Sequence, residues 1–579
     1  MFALTSTIIL FSAVLVVEAA LCDPLPGINC WGNDLSSPNG QDASTAAACC
    51  AQCSARAGCR AWSWNEFEGN PPGACWLKVN CNGVRNDTGA ISGTADPIPP
   101  PSPSPSPGPY PPPSDYHNGV SMGGWLLTEP SWMYDQFSAP AEGDLVLKLR
   151  AQGGDAFAIQ TMRNHWSNYY PDAALDALVK LGVTHARVPI GYWIIEAPVV
   201  IIADTIATQS PDFHTFGFNH EGFVTGGINY LEIMLAKLKT RGIKVLIDVH
   251  ALPGGSSSCQ SYSGWQVSDP LFWRASPPPS NMTIIPTSCG GAGPYRTTRG
   301  SSQTWMETGE DTVVALSNWI VSLQSNASMS DTVVGFEIAN EPGLGFNGVQ
   351  DAIQTFCSDM VPKVQAIFKN GQVNVNVTLN FIGPNDVYTG TWVASQISAG
   401  KFDSQHLLID FHNYYNWNGP LTWQQLATQI CATVKTTSPW SQYTDNNLHT
   451  VIGEWSCSTN YGAKPFTDLT NPEIVAHLRI LYANQMSLFS ARGGATPGCV
   501  GQHHWALRMG SGWDPRPTVT APNGTQVEGS AWDKSLTTFQ TAVWSLGELI
   551  RVGVAQPLDA LNVTGVCVCN GCSANGAAV

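Results

Sequence analysis

The sequence predicts an α/β fold, a (β/α)8 TIM barrel catalytic domain preceded by a small disulfide-rich domain, on three observations. From Asp115 onward, short apolar runs alternate with helical patterns, the signature of a parallel sheet built from βαβ units. Eight such runs can be marked, and eight strands with crossover connections close into a barrel. Ahead of them, residues 95–114 are dense in Pro and Ser. They form a stiff, extended rod without a core, which sets a cysteine-dense segment apart from the barrel.

Residues 1–20 read as a signal peptide. Ile8 to Val17 is an apolar core, and Val17-Glu-Ala-Ala20 supplies small residues for cleavage. That core is shorter than the ~20 residues of a membrane span, which disfavours an anchor, and no later segment is long and apolar enough to span. Residues 21–94 carry Cys22, Cys30, Cys49, Cys50, Cys53, Cys59, Cys75 and Cys81. A region this short buries little core, so disulfides are its expected staples. Ala46 to Ala57 is expected as a helix, and Cys59 to Trp64 and Cys75 to Lys78 as strands. Trp62 and Trp64 alternate onto one face, which either packs on the helix or offers a sugar platform. The order of helix with cysteine pair, Cys-x-x-Trp strand and Cys-x-Leu-Lys resembles the PAN/Apple family. That resemblance implies a carbohydrate or protein ligand for the module.

Residues 115–560 are assigned to the barrel. Its strands are expected at Gly119 to Leu127, Thr184 to Pro189, Lys244 to Val249, Val333 to Ala339, Asn374 to Ile382, Leu407 to Phe411, Thr450 to Gly453 and Gln502 to Ala506. Helices are expected at Pro171 to Leu181, Gly227 to Arg241, Asp311 to Gln324 and Val349 to Phe368, with a last one over Ala531 to Leu549. Residues 561–579 form a cysteine-containing tail, for which disulfides are expected over metal. The odd count of 17 cysteines leaves at least one thiol unpaired within the chain. Sequons at Asn86, Asn281, Asn326, Asn376, Asn523 and Asn562 fit a glycosylated, secreted protein.

The chemistry is expected just past the carboxyl ends of two strands, the rim on which barrels build active sites. Val334 to Gly343 is an apolar run that stops at Asn340-Glu341-Pro342, and Thr450 to Ser456 places Glu454 in the same way. Two carboxyls facing one pocket are the equipment of a retaining glycosidase. Glu341 is read as the acid/base, with burial and the second carboxylate raising its pKa, and Glu454 as the nucleophile, which must stay ionised. Arg187 is a candidate to fork onto a carboxylate, and Asn340 to bond a sugar 2-hydroxyl. His250, His412 and Tyr414 end strands beside the pair and are read as orienting and sugar-binding groups, with the Tyr414 hydroxyl able to donate to Glu454. Glu129, past the first strand, can accept sugar hydroxyls, and Trp505 can face a glucosyl ring. Three His on separate strands raise zinc as an alternative, but Arg187 faces inward beside His185 and no other His-rich spacing appears; no metal is expected.

The stretches Gly119 to Pro130, Asn164 to Tyr169, Ala186 to Trp193, Asp248 to Gly254, Phe336 to Pro342, Asp410 to Tyr414 and Ile452 to Ser456 resemble glycoside hydrolase family 5, and within it the secreted exo-β-1,3-glucanases. The resemblance implies retention of configuration and no cofactor. It implies a −1 sugar site lined by Glu129, Arg187, His250, Asn340, His412, Tyr414 and Trp505, and release of glucose from non-reducing ends of β-1,3-glucan. Two departures touch the leaving-group side. Trp505-Ala-Leu-Arg508 lacks the family's second Trp and its Lys. The loop from Cys259 to about Ser301 is long, and a Cys259–Cys289 disulfide would pin it as a lid or outer wall.

Composition narrows the partners. A net charge of −16 argues against nucleic acid or anionic membrane. Only 12% of residues are charged while 21 are Trp, which suits stacking on sugar faces as well as core packing. The alternatives are a β-glucosidase or glucanase of other linkage, such as β-1,6-glucan or an aryl or lipid β-glucoside, and a non-catalytic wall-binding protein.

Overall fold

A computed structural model describes residues 25–31, 35, 41–65, 73–79, 81, 83–94, 117–130, 139–195, 216–219, 221–274, 289, 303–345, 348–381, 390–415, 448–459, 469–489, 499–509, 519–520, 526–527 and 544–557. The expected leader, linker and tail lie outside them. The chain divides into two compact units, 1–108 and 109–579.

The first unit is a five-stranded antiparallel sheet in the order β1-β5-β3-β4-β2, with β1 Leu25–Trp31, β2 Gln41–Asp42, β3 Ala61–Asn65, β4 Ala74–Lys78 and β5 Gly83–Thr94. Its helix, Ala46–Ala55, starts at Thr45, whose hydroxyl accepts from the Ala48 N–H. Disulfides Cys30–Cys81, Cys49–Cys75 and Cys53–Cys59 staple it, and Cys50 is also disulfide-bonded. Trp62 and Trp64 are buried against Cys49, Cys50 and Cys53, and the Trp64 indole donates to Ala43. The shared face therefore packs on the helix, and no sugar platform is formed by these two rings.

The second unit holds a closed, all-parallel barrel in the order β10-β11-β12-β13-β6-β7-β8-β9. The strands are β6 His117–Ser121, β7 His185–Gly191, β8 Lys244–Ala251, β9 Val333–Glu337, β10 Asn376–Phe381, β11 Leu407–Tyr415, β12 His449–Thr459 and β13 Cys499–His504. Helices Asp172–Lys180, Ile228–Lys239, Trp305–Ser325 and Gln350–Asn370 occupy the expected crossovers. Trp305–Ser325 starts earlier than expected because Thr304 and Glu307 form a capping box.

Several boundaries differ. The first barrel strand ends at Ser121, not Leu127, because Gly123-Gly124 turns the chain and Gly124 takes φ 72°. Helix Glu142–Asn168 was hidden from periodicity by Gly153-Gly154, where Gly154 (φ 78°) kinks it. Helix Pro472–Phe489 was likewise not anticipated. The last barrel helix spans Leu546–Arg551; the earlier part of the expected Ala531 to Leu549 lies outside the described residues. The Cys259–Cys289 disulfide is present, while most of the loop it closes is not described. Among the described residues, Cys357 and Cys457 are free, buried thiols, and no helix is long and apolar enough to cross a membrane.

Candidate active site

Two irregularities in the β11–β12 register set the site. The ladder slips between Phe411 and His412, so that His412 comes level with Glu454. Such slips re-aim side chains at barrel rims. The carboxylate of Asp410 closes the gap by accepting from the Gly453 N–H at 2.5 Å. A Cβ on Gly453 would stand 1.8 Å from that carboxylate, so only glycine fits immediately before Glu454.

Arg187 is fully buried and organises one side. It donates to Glu454 Oε1 at 2.8 Å, to Asn340 Oδ1 at 2.7 Å and, through Nη2 and Nε, to both oxygens of Glu337 at 2.9 and 3.1 Å. Asp248 lies 3.1 Å away and Asp410 3.7 Å. Burial alone would depress the guanidinium, but these carboxylates hold its pKa well above the ordinary value, so it is a permanent cation. Sequence reasoning missed Glu337, Asp248 and Asp410. The available signal was a lone acid inside each apolar strand run, costly to bury unless paired.

Glu341 follows β9 in a left-handed turn, with φ 38°. Asn380 accepts from its N–H at 2.8 Å, and Ser257 donates to its carbonyl at 2.6 Å, which over-determine the unusual backbone. Its Oε1 accepts from His412 Nδ1 at 2.6 Å and its Oε2 from the Tyr262 hydroxyl at 2.5 Å. His412 Nδ1 is also 3.4 Å from Glu454 Oε2, which in turn accepts from Tyr414 at 2.7 Å. One oxygen each of Glu341 and Glu454 and a ring nitrogen of His412 all lie within 4.8 Å of one another.

The electrostatics correct one expectation. Burial does push Glu341 up, but the hydrogen bond and charge of His412, then Tyr262, outweigh it and leave its pKa below the ordinary value. Glu454 ends above its ordinary value: burial and Glu341 raise it more than His412 and Arg187 lower it. His412 itself is held well above the usual imidazole range, despite burial, by Glu454, Asp410 and Glu341. In the free site the ready proton therefore rests on His412, hydrogen-bonded to Glu341. The phenols of Tyr262 and Tyr414, pushed up by burial and then by their carboxylate neighbours, stay protonated donors.

The remaining wall comes from three elements. His250 Nδ1 donates to Asp248 at 2.5 Å, and the ring lies parallel to Trp505, ring centroids 5.4 Å apart. Trp505 follows β13 and is joined to Ala506 by a cis peptide. Glu129 is buried and raised to about 7, chiefly by burial; Ser261 donates to one oxygen at 3.2 Å, and the other has no partner among the described residues. The Glu129 loop is held from behind. Glu142 accepts from the Thr128 N–H and hydroxyl and from the Trp193 indole, and His165, Trp166 and Tyr170 bond its backbone or Trp125. Arg508 does not enter the site: it donates to the Tyr169 carbonyl at 2.7 Å and lies over the Tyr169 ring.

All nine sequence-assigned residues thus occur in one constellation with Tyr262, Ser261 and Glu337 added. Two of its donor sets, Glu337/Asp410/His412 and Glu341/His412/Glu454, have metal-compatible spacing. Arg187 already supplies the cation of the first, and hydrogen bonds from Tyr262, Tyr414 and Arg187 engage the carboxylates of the second.

Comparison with known proteins gives two family matches. The profile of Cellulase (glycosyl hydrolase family 5) matches residues 150–491, and that of the PAN domain residues 28–78. The chain is 26% identical over 359 residues to a probable glucan 1,3-beta-glucosidase A of Aspergillus niger, covering 61% of this chain and 68% of that one. It is 22% identical over 356 residues to glucan endo-1,6-beta-glucosidase B of Emericella nidulans, covering 60% and 71%. Among solved structures, rutinosidase from Aspergillus niger aligns with a TM-score of 0.48 at 17% identity, covering 76% of this chain and 98% of that one.

Proposed function

The chain belongs to glycosyl hydrolase family 5, and from that premise we propose that it is a retaining β-glucan hydrolase, acting mainly as an exo-β-1,3-glucosidase on non-reducing ends. The observation that carries the mechanism is the closeness of the two carboxyls, with an oxygen of each within 4.8 Å of the other. Carboxyls about 5 Å apart suit direct attack on the sugar, whereas inverting enzymes need about 6.5–9.5 Å to seat a water. Glu454, aimed by Arg187 and Tyr414, attacks the anomeric carbon. The proton on His412 shifts along its 2.6 Å bond to Glu341, which passes it to the departing oxygen. In the second half-reaction Glu341 takes a proton from water, whose oxygen displaces Glu454 and frees glucose. Asn340, His250, Glu129 and Trp505 hold the sugar; Glu129 offers a hydroxyl the oxygen that has no partner among the described residues.

The 1,3 linkage is supported by relatives named glucan 1,3-beta-glucosidase. A relative named for endo-1,6 action favours a second reading, hydrolysis of β-1,6-glucan. The disulfides of the N-terminal unit favour an oxidising, extracellular setting, with the PAN domain as a protein- or carbohydrate-binding module. A timed product analysis on laminarin with wild type and Glu454→Ala tests the proposal. Glucose alone from the start, absent in the variant, is expected. Early longer oligomers would move it to endo action, and products only from β-1,6-glucan to the second reading. No products from any β-glucan would leave a binding protein.

A further inference from the structure

We propose that Tyr262 is a positioning residue for Glu341, biasing that carboxyl toward the ionised form that accepts a proton in the second half-reaction. This rests on the acid/base role proposed above for Glu341. Tyr262 comes from no barrel strand. It sits in the short helical turn Ser261–Ser263, two residues past the disulfide-bonded Cys259. Its neighbour Ser261 donates to Glu129, and its ring stands edge-on to His250, centroids 5.1 Å apart at 70°. These contacts fix the half-buried ring so that its hydroxyl meets Glu341 Oε2.

The consequence follows from donor counting. Glu341 Oε1 already accepts from His412, so with Tyr262 both oxygens are occupied as acceptors. Two donors stabilise a carboxylate and oppose its protonation. His412 can relieve this by passing its proton over; a phenol held in its protonated form can only turn aside or keep donating. Tyr262 thus lowers the fraction of Glu341 ready to donate in the first half-reaction and raises the fraction ready to accept in the second. The other groups facing Glu341 are His412 and Tyr414 from β11, Glu454 from β12, His250 from β8 and Glu129 past β6, with Arg187 behind Glu454. Tyr262→Phe changes none of them and keeps the ring packed.

Two measurements on full-length protein test it. In the first, wild type and Tyr262→Phe are compared on an alkyl β-glucoside, whose departure needs the acid, and on a dinitrophenyl β-glucoside, whose departure does not. Losing one charge-assisted hydrogen bond should move the alkaline limb of kcat/KM for the alkyl substrate up by about one pH unit. For the activated substrate, the acid limb of kcat should move up by a similar amount, so that kcat falls on the acid side. An equal loss on both substrates with unmoved limbs would mean a packing role and overturn the proposal. In the second, glutamate carboxyls are labelled with carbon-13, and the signal missing from Glu341→Gln is titrated. Its midpoint should rise in Tyr262→Phe; an unmoved midpoint overturns the proposal even if no β-glucoside is turned over, an outcome that would separately remove the hydrolase reading.

Discussion

Glu341 and Glu454 share one imidazole but differ in their other partners, and that difference supports the separate roles proposed for them. Glu454 is gripped by a permanent cation and a phenol. Glu341 is held by no arginine: its donors are the imidazole of His412, which can pass its proton over, and the phenol of Tyr262. Removing either carboxyl should therefore fail in its own way. Glu341→Ala should keep much of its kcat/KM on a dinitrophenyl β-glucoside while kcat, limited by hydrolysis of the glycosyl-enzyme, falls; it should lose about a hundredfold or more in kcat/KM on an alkyl one, and give β-glucosyl azide with added azide. Glu454→Ala should be dead on both and, given azide and the dinitrophenyl β-glucoside, should form an α-linked glucosyl azide. Product anomers by NMR check both. Arg187→Lys keeps the charge but loses the fork onto Glu337 and the reach to Glu454 and Asn340, so kcat/KM should fall by about a hundredfold or more. Thermal unfolding should show a stability loss too, since a buried Glu337 oxygen left without its donor costs about 1–3 kcal/mol.

At the scale of elements, the barrel was legible because its strands are near-continuous apolar runs that end in polar residues. Glu341, Glu454, His250 and His412 could be placed because each follows or closes such a run. What was not legible lay where that pattern stops. Tyr262 and Ser261 sit in a turn with no periodicity, and the kink at Gly154 broke the helical pattern of Glu142–Asn168. The pKa of Glu341 was misjudged for a related reason: burial is written in the apolar run, but the donors that reverse it come from other segments. The slip in the β11–β12 ladder was equally invisible, and it makes Gly453 a sharp test. Gly453→Ala forces a methyl into Asp410, so it should cost about 1–3 kcal/mol of stability and shift Glu454 out of line, with a fall in kcat/KM. Normal kinetics with an unchanged melting temperature would contradict this account of the slip.

At the scale of the molecule, acid sensitivity follows from its buried imidazoles. Burial holds His117 and His165 at about 4 and His504 at about 3, with His185 and His503 also well below 6.5. Below pH 6.5 the unfolded chain takes up protons that these folded rings refuse, so the stability they contribute is lost as pH falls toward 4. Glu129 and Glu142, raised to about 7 by burial, act oppositely: their folded forms hold protons that the unfolded chain has released, so they cost stability as pH rises from about 4.5 to 7. Between pH 6.5 and 4.5 the two carboxyls offset only part of the slope of the five imidazoles; below 4.5 that offset is gone, and Glu341 and Asp410, held below their ordinary values, add to the loss as they are protonated. Calorimetry should find a melting temperature that falls from pH 6.5 to 4.5 and falls more steeply below 4.5.

The central claim is that Glu454 becomes covalently glycosylated while Glu341 manages the proton. The most direct measurement is to trap the enzyme with a fluoroglucoside whose glycosyl-enzyme hydrolyses slowly, then digest it and locate the label by mass spectrometry. One sugar per chain is expected, carried on the peptide containing Glu454, with no labelling of Glu454→Ala. A label on Glu341 or elsewhere, or turnover of the sugar with no covalent species, would contradict it.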